Sequence, residues 1–252
     1  MKIWGLIPAR LDSSRLHGKA LLDLHGLPMI IHVAKRASLS ALLDEVVVCT
    51  DSDRIAQACI DHKVDICFTS SQCSNGTERI YEASAILQCD SEDLIIDIQG
   101  DEPLIDPANI DKVVAVTKQN AGAYDICLPH LIGCPRSNPN VVKVVASGER
   151  VLYLTRSDCP NDFTIDKPLK KHLSIIGFTQ EALRIFATNP MTELEKQENI
   201  ELLRALENNL SIYTFEVKGD SFSVDVRSDF ERAEKAIEKC PLFRSGYASS
   251  GF

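Results

Sequence analysis

At 252 residues, with 44% hydrophobic and 25% charged side chains, the chain is long enough to bury one substantial α/β core and too ordinary in composition to be disordered or fibrous. Its 27 basic against 36 acidic residues leave a net charge of −9, which excludes a general nucleic-acid or anionic-membrane surface but leaves room for a local basic pocket. Nine cysteines at irregular spacings, with no CxxC pair and no Cys/His zinc pattern, read as reduced thiols, and no apolar run approaches a membrane span or a signal peptide, so the expected location is the cytoplasm.

Ile3, Trp4, Leu6 and Ile7 predict a short buried strand that Pro8 ends, because proline donates nothing to a sheet ladder. A loop follows in which Arg10, Arg15 and Lys19 bring three cations together, while Ser13, Ser14 and Gly18 let backbone N–H groups turn inward. That combination suits a polyphosphate, although it matches neither GxxxxGK[ST] nor GxGxxG. Short β-branched runs then alternate with helical patterns. Strands are predicted over 45–50, 64–69 and 94–98, and crossover helices over 28–38, 53–62 and 77–87. Ligands of such a sheet bind beyond the carboxyl ends of its strands, so residues 8–19, Asp51 and the segment after Ile98 are expected to face one crevice.

Asn75 to Arg79 (NGTER) opens a helix. Capping explains the first four residues but not the arginine. In Gln99 to Pro103 (QGDEP), Gly100 permits a sharp turn at a strand end and aims Asp101 into the crevice, where a hard oxygen ligand for Mg²⁺ belongs. Beyond residue 119 come extended runs over 141–146 and 151–155, helical patterns at 181–187 and 195–208, a strand at 211–217 and a charged amphipathic helix at 228–240. Along the last of the helical patterns before that strand, Glu195, Glu198 and Glu201 are expected to share one helix face. The organisation predicted is a single domain over 1–240, an inserted lobe at about 130–210, and a loose tail over 241–252.

ARLDSSRLHGK after the first strand, then NGTER, QGDEP and NPNVVKVV at 138–145, resemble in this order the signatures of sugar nucleotidyltransferases, and in particular the 3-deoxy-manno-octulosonate cytidylyltransferase family. The resemblance implies a Rossmann-like, doubly wound, mainly parallel sheet of the nucleotide-diphospho-sugar transferase type with a small inserted lobe, assembled as a homodimer. It implies transfer of CMP from CTP to the anomeric hydroxyl of the sugar acid, with Mg²⁺ as cofactor, for lipopolysaccharide biosynthesis. Lys19, Arg15 and Asp101 would be catalytic. Pro8, Ala9, Arg10, Ser13, Ser14, Lys19, Gly76, Thr77, Arg79 and Gln99 would contact the nucleotide. Asp101 and Asp225 would hold the metal, Asp225 matching the first acid of the family's VDxPED, which here reads VDVRSD.

YLTRSDCP, KHLSIIGF and ELEKQENIELLR resemble the family's sugar-binding segments. They imply sugar contacts from Gln99, Arg156, His172, Glu198 and Glu201, with Arg156 gripping the carboxylate bidentately and His172 bonding hydroxyls. Lys143, within NPNVVKVV, is expected to support the lobe. Ser174 and Ile176 depart from the family's glycine and tyrosine. Two alternatives stay open: a cytidylyltransferase for another sugar acid, such as an amino-substituted octulosonate or a nonulosonate, and a nucleotide binder that has lost turnover.

Overall fold

The structure, a computed structural model, describes residues 1–12, 15–134, 136–161, 163, 167–244 and 246–247. In chain order its first half comprises β1 (Ile3–Ala9), the hairpin β2 (Asp23–Leu24) and β3 (Leu27–Pro28), α1 (Met29–Ala37), β4 (Glu45–Thr50), α2 (Asp53–Asp61), β5 (Asp65–Phe68), α3 (Gly76–Ile86), β6 (Leu94–Ile98) and α4 (Pro107–Asn120). Then come β7 (Ile126–Ile132), β8 (Lys143–Ser147), β9 (Arg150–Thr155), β10 (Lys170–His172), β11 (Ile175–Thr179), α5 (Gln180–Thr188), α6 (Glu193–Glu198), α7 (Leu202–Glu207), β12 (Ile212–Glu216), α8 (Arg227–Lys239) and α9 (Pro241–Arg244). Among the described residues no helix is long and apolar enough to cross a membrane.

Ten strands form one sheet in the order β10-β8-β9-β12-β7-β11-β6-β1-β4-β5. β5, β4, β1 and β6 run parallel, and β7 and β12 share their direction because β11 lies antiparallel to both β6 and β7. Side-chain alternation along β1 explains why helices cover both faces. Ile3, Ile7 and Ala9 pack with Ile30 and Ile31 of α1 and Ile110 of α4, whereas Trp4 and Leu6 pack with Ile80 of α3 and Phe186 of α5. From β1 the chain moves outward to β4 and β5, then returns through α3 to β6 on the other side of β1. The carboxyl ends of β1 and β6 therefore diverge into a crevice at this switch point.

Three expectations need correcting. β1 continues through Pro8 to Ala9: its pairing with β6 stops at Leu6↔Asp97 while its pairing with β4 runs to Ala9↔Thr50, so on one side Pro8 has no ladder to feed. The extended runs expected at 141–146 and 151–155 are β8 and β9, and both belong to the main sheet. The helical pattern at 195–208 is two short helices, α6 and α7, because Asn199 adopts φ 53°, the left-handed conformation that stops a helix. The three glutamates therefore do not share one helix face.

The tail is not loose over its described part. Phe243 packs on the rings of His25 and His32, and Tyr247, only 4% exposed, places its hydroxyl 2.7 Å from His32 Nδ1. Ser245 and residues 248–252 of that expectation lie outside the described residues.

Candidate active site

At the carboxyl ends of β1 and β6 two cavities of about 480 and 470 Å³ lie side by side and share Gln99, Asp101, Asn199, Ile200, Glu201 and Asp225 in their walls. The 470 Å³ cavity is lined by Pro8, Ala9, Arg10, Arg15, Lys19, Gly76 and Arg79, most of the residues expected around a nucleotide. Two glycines let its walls meet. A Cβ on Gly100 would lie 2.9 Å from the Pro8 carbonyl oxygen, and one on Gly76 would lie 3.2 Å from Pro8 Cγ. Ser13 and Ser14 lie outside the described residues.

Charge is concentrated where the cavities join. Lys19 Nζ donates to Asp101 Oδ2 at 2.7 Å, to the Val224 carbonyl at 3.1 Å and to Asp225 Oδ1 at 3.2 Å, while Arg15 Nη2 donates to Asp225 Oδ1 at 2.9 Å. Burial works against the Lys19 ammonium, but Asp101 and Asp225 outweigh it and raise its pKa, so the lysine stays charged. Asp101 and Asp225 thus converge on one cationic point. Hard carboxylate oxygens facing a common centre, with a cavity on either side for water and phosphate oxygens, are a donor set that fits Mg²⁺. Among the described residues no group of three or more His, Cys, Asp or Glu forms a closed metal cage.

A second carboxylate, adjacent in sequence to Asp101, fixes this geometry. Glu102, 1% exposed, accepts from Ser221 Oγ at 2.6 Å and Ser223 Oγ at 3.3 Å, and the Val224 N–H donates to the Asp101 carbonyl at 2.9 Å. The late segment that carries Asp225 is thereby tied to the turn that carries Asp101.

Arg79 is an internal bracket that reaches the cavity edge. It is 3% exposed, its Nη2 pairs with Asp51 at 3.2 Å, and its Nη1 donates to Thr69 Oγ1 at 2.6 Å. Asp51 itself lines neither cavity, contrary to the expectation that it faces the crevice. Thr77 faces the other cavity and donates its hydroxyl to Glu201 Oε2 at 2.9 Å.

The 480 Å³ cavity is lined by Gln99, Asn138, Asn140, Arg156, Lys171, His172, Ser174, Ile176, Glu201 and Arg232, among others. His172 is neutral here: burial, then the charges of Lys171 and Arg156, push its pKa down to about 4. Arg156 is heavily committed. Its Nε donates to the Glu198 carbonyl at 2.8 Å, Nη1 to Pro139 O at 3.0 Å and Nη2 to Asn199 O at 2.9 Å, which leaves one N–H on each terminal nitrogen. Glu198 departs from its expected sugar contact and lines neither cavity, because its carboxylate accepts from Thr155 Oγ1 at 2.7 Å and Arg156 N at 3.0 Å. Lys143, fully buried, donates to the Asn138 and Arg156 carbonyls at 2.7 Å each and so joins two walls of the cavity.

Sequence reasoning passed over Asp97 and Arg232. Asp97 is fully buried behind Gln99, whose Nε2 donates to both its oxygens, and burial and then the Glu201 charge raise its pKa well above its ordinary value against that hydrogen bond. An aspartate inside the otherwise apolar run LIIDI was the signal. Arg232 stacks 3.7 Å from the centroid of the Phe222 ring, and among the described residues it has no ion pair. It lies on the second turn of α8, the helix that begins just after Asp225.

Comparison with known proteins adds a family to this geometry. The profile of the family described as "Cytidylyltransferase" matches residues 4–212. The chain is 38% identical over 232 residues to the 3-deoxy-manno-octulosonate cytidylyltransferase of a Nitratiruptor species, covering 90% of this chain and 96% of that one. It is also 38% identical over 239 residues to the 8-amino-3,8-dideoxy-manno-octulosonate cytidylyltransferase of Shewanella frigidimarina, covering 93% and 98%. A solved structure of CMP:2-keto-3-deoxy-manno-octonic acid synthetase complexed with CTP superposes with a TM-score of 0.88 at 30% identity, over 95% of this chain and 99% of that one.

Proposed function

From the premise that the chain belongs to the cytidylyltransferase family, beside its 3-deoxy-manno-octulosonate enzymes, we propose that it transfers CMP from CTP to the anomeric hydroxyl of 3-deoxy-manno-octulosonate and releases pyrophosphate. The observation that carries this reading is the meeting of two cavities at Lys19, Asp101 and Asp225, since the reaction needs a triphosphate and a sugar hydroxyl on opposite sides of one charged centre.

The 470 Å³ cavity is the nucleotide site. Arg10, Arg15 and Lys19 face the triphosphate there, and Gly76 and Gly100 let the backbone close around it. In the other cavity the sugar acid lies with its anomeric hydroxyl toward Asp101. That hydroxyl gives up its proton to solvent as its oxygen attacks the α-phosphorus in line, a new O–P bond forms as the bond to the β-phosphate oxygen breaks, and pyrophosphate leaves with the electron pair. Asp101 and Asp225 would hold Mg²⁺, which when bound would supply charge neutralisation for the phosphates and a lowered pKa for the attacking hydroxyl. Glu102 acts through its serine bonds to keep the two aspartates in register. Neutral His172 and Gln99, braced by Asp97, recognise hydroxyl groups.

We assign the sugar's carboxylate to guanidinium N–H groups of this cavity that remain unspent, those of Arg232 and the outer edge of Arg156. Arg232→Gln is expected to raise KM for the sugar acid about ten- to a hundred-fold, the worth of a charge-assisted hydrogen bond of about 1.5–3 kcal/mol, with KM for CTP unchanged. Initial-rate kinetics with each substrate varied in turn check this, and two unmoved KM values would remove Arg232 from the site.

The function itself is tested by pyrophosphate release with CTP, UTP or ATP beside octulosonate. CTP should be preferred, because uridine inverts the hydrogen-bond pattern at the base's 4-position and leaves a protein group unpaired. Equal turnover with ATP, or none with CTP, would defeat the reading. Equal identity to an 8-amino-octulosonate enzyme supports a second reading in which the amino sugar is the better acceptor. The ratio of kcat/KM for the two sugars decides between them.

A further inference from the structure

The Lys19 ammonium has three N–H bonds, and all three are committed, to Asp101 Oδ2, the Val224 carbonyl and Asp225 Oδ1. The arrangement is held in place from both sides. Gly18, at φ +64°, turns the chain into the short 3₁₀ turn Lys19–Leu21, and the Val224 N–H is itself bonded to the Asp101 carbonyl at 2.9 Å. Arg15 adds a second cation on Asp225, so two carboxylates are matched by two protein cations.

A committed ammonium has no donor left for a phosphate, and carboxylates filled by Lys19 and Arg15 present no net negative charge to a free metal ion. We propose that Lys19 is a resident counter-ion that keeps the Asp101 and Asp225 carboxylates closed to a free divalent cation until a triphosphate draws it away. On arrival of a triphosphate, its oxygens take over the N–H bonds of Lys19, and the two aspartates are released together. Metal and nucleotide therefore enter as one event, and neither gains the site's full binding energy alone. The exchange breaks no covalent bond and moves no proton. It rests on the reading of this site as a metal-dependent nucleotidyltransferase centre, and it adds to that reading a second role for Lys19 before substrate arrives.

The test uses nucleotide-free protein and Mn²⁺ as probe, with bound metal counted from the loss of the free-ion electron paramagnetic resonance signal. Lys19→Gln, which removes the charge and keeps a polar side chain, should bind Mn²⁺ at least about ten-fold tighter than the wild type, because a unit charge beside the ligands no longer competes. Adding Asp101→Asn to that variant should abolish the gain. Mn²⁺ should also raise the unfolding midpoint of Lys19→Gln while leaving that of the wild type unmoved. Equal Mn²⁺ affinity in wild type and Lys19→Gln, or a gain that survives Asp101→Asn, overturns the proposal and leaves Lys19 a fixed structural pin. Neither arm contains nucleotide or sugar, so failure here is distinct from failure of the catalytic reading, which pyrophosphate release from CTP and octulosonate reports separately.

Discussion

Asp101→Asn is expected to lower pyrophosphate release about a hundred- to a thousand-fold at millimolar Mg²⁺, with the fold intact. The amide keeps the shape of the side chain and one carbonyl oxygen, but it loses the charge that makes Asp101 a ligand for a hard cation, and that contribution to the transition state is worth several kcal/mol, each 1.36 kcal/mol being about ten-fold in rate. The stability cost should be small. Lys19 and Asp101 are largely buried, at 18% and 22% exposed, but the amide keeps an acceptor oxygen for the ammonium, which also retains Asp225 and the Val224 carbonyl. A magnesium titration beside thermal unfolding checks both halves of the expectation. Activity within a few-fold of wild type would remove Asp101 from the metal site, and a large fall in the unfolding midpoint would recast it as a structural residue.

Arg204→Met should have the opposite profile, a large loss of stability. Arg204 is 1% exposed, its Nε and Nη2 each bond Glu195 at 2.7 Å, its Nη1 bonds Glu78 at 2.8 Å, and its guanidinium lies 4.5 Å over the Phe186 ring. Removing the cation leaves the Glu195 carboxylate, itself 3% exposed, without a counter-charge and with the Thr192 N–H as its remaining donor. Breaking one side of a buried pair costs about 3–5 kcal/mol, which for a domain of this size lowers the midpoint by about 6–20 °C. Replacing Glu195 by leucine in the same protein should restore much of that loss, since the stranded charge is then gone. A single variant that unfolds within about 2 °C of wild type would show that the network carries little of the fold, about 1 kcal/mol or less.

The sequence made the first half of the fold plain because β1, β4, β5 and β6 are short apolar runs separated by helices with ordinary periodicity, and because NGTER opens α3, capped by Asn75, whose side chain accepts from Glu78 N at 2.8 Å. β7 was missed for a physical reason. Pro129 lies inside it, and proline in a central strand is normally excluded. It is tolerated because the neighbour on that side changes there: β11 pairs at Ile126 and Cys127, β10 pairs at His130 to Ile132, and Pro129 falls between them.

The break at Asn199 was equally hard to see, since one left-handed residue leaves the apolar spacing on either side of it intact. The docked tail depends on a contact between His32 and Tyr247, 215 residues apart, which no local pattern encodes. In the site, the charged motifs were plain because Lys19, Asp101 and Asp225 sit in recognisable runs, in the loop after β1, in the turn after β6 and just before α8. The tasks of Arg156 and Glu198 were not, because what they bond is the carbonyl, N–H and hydroxyl groups of neighbouring loops, which sequence motifs do not report.

The shared wall of Gln99, Asp101 and Glu201 bears on inhibitor chemistry. A compound that joins a cytidine phosphate to a sugar-acid mimic through carbon, in place of the anomeric oxygen that would bridge them in the product, would place one half in each cavity. Each half would then hold the other at high effective concentration. Because the junction lies against Asp101 and Asp225, a linker that carries a metal-binding group there would use the one part of the site that both substrates must meet.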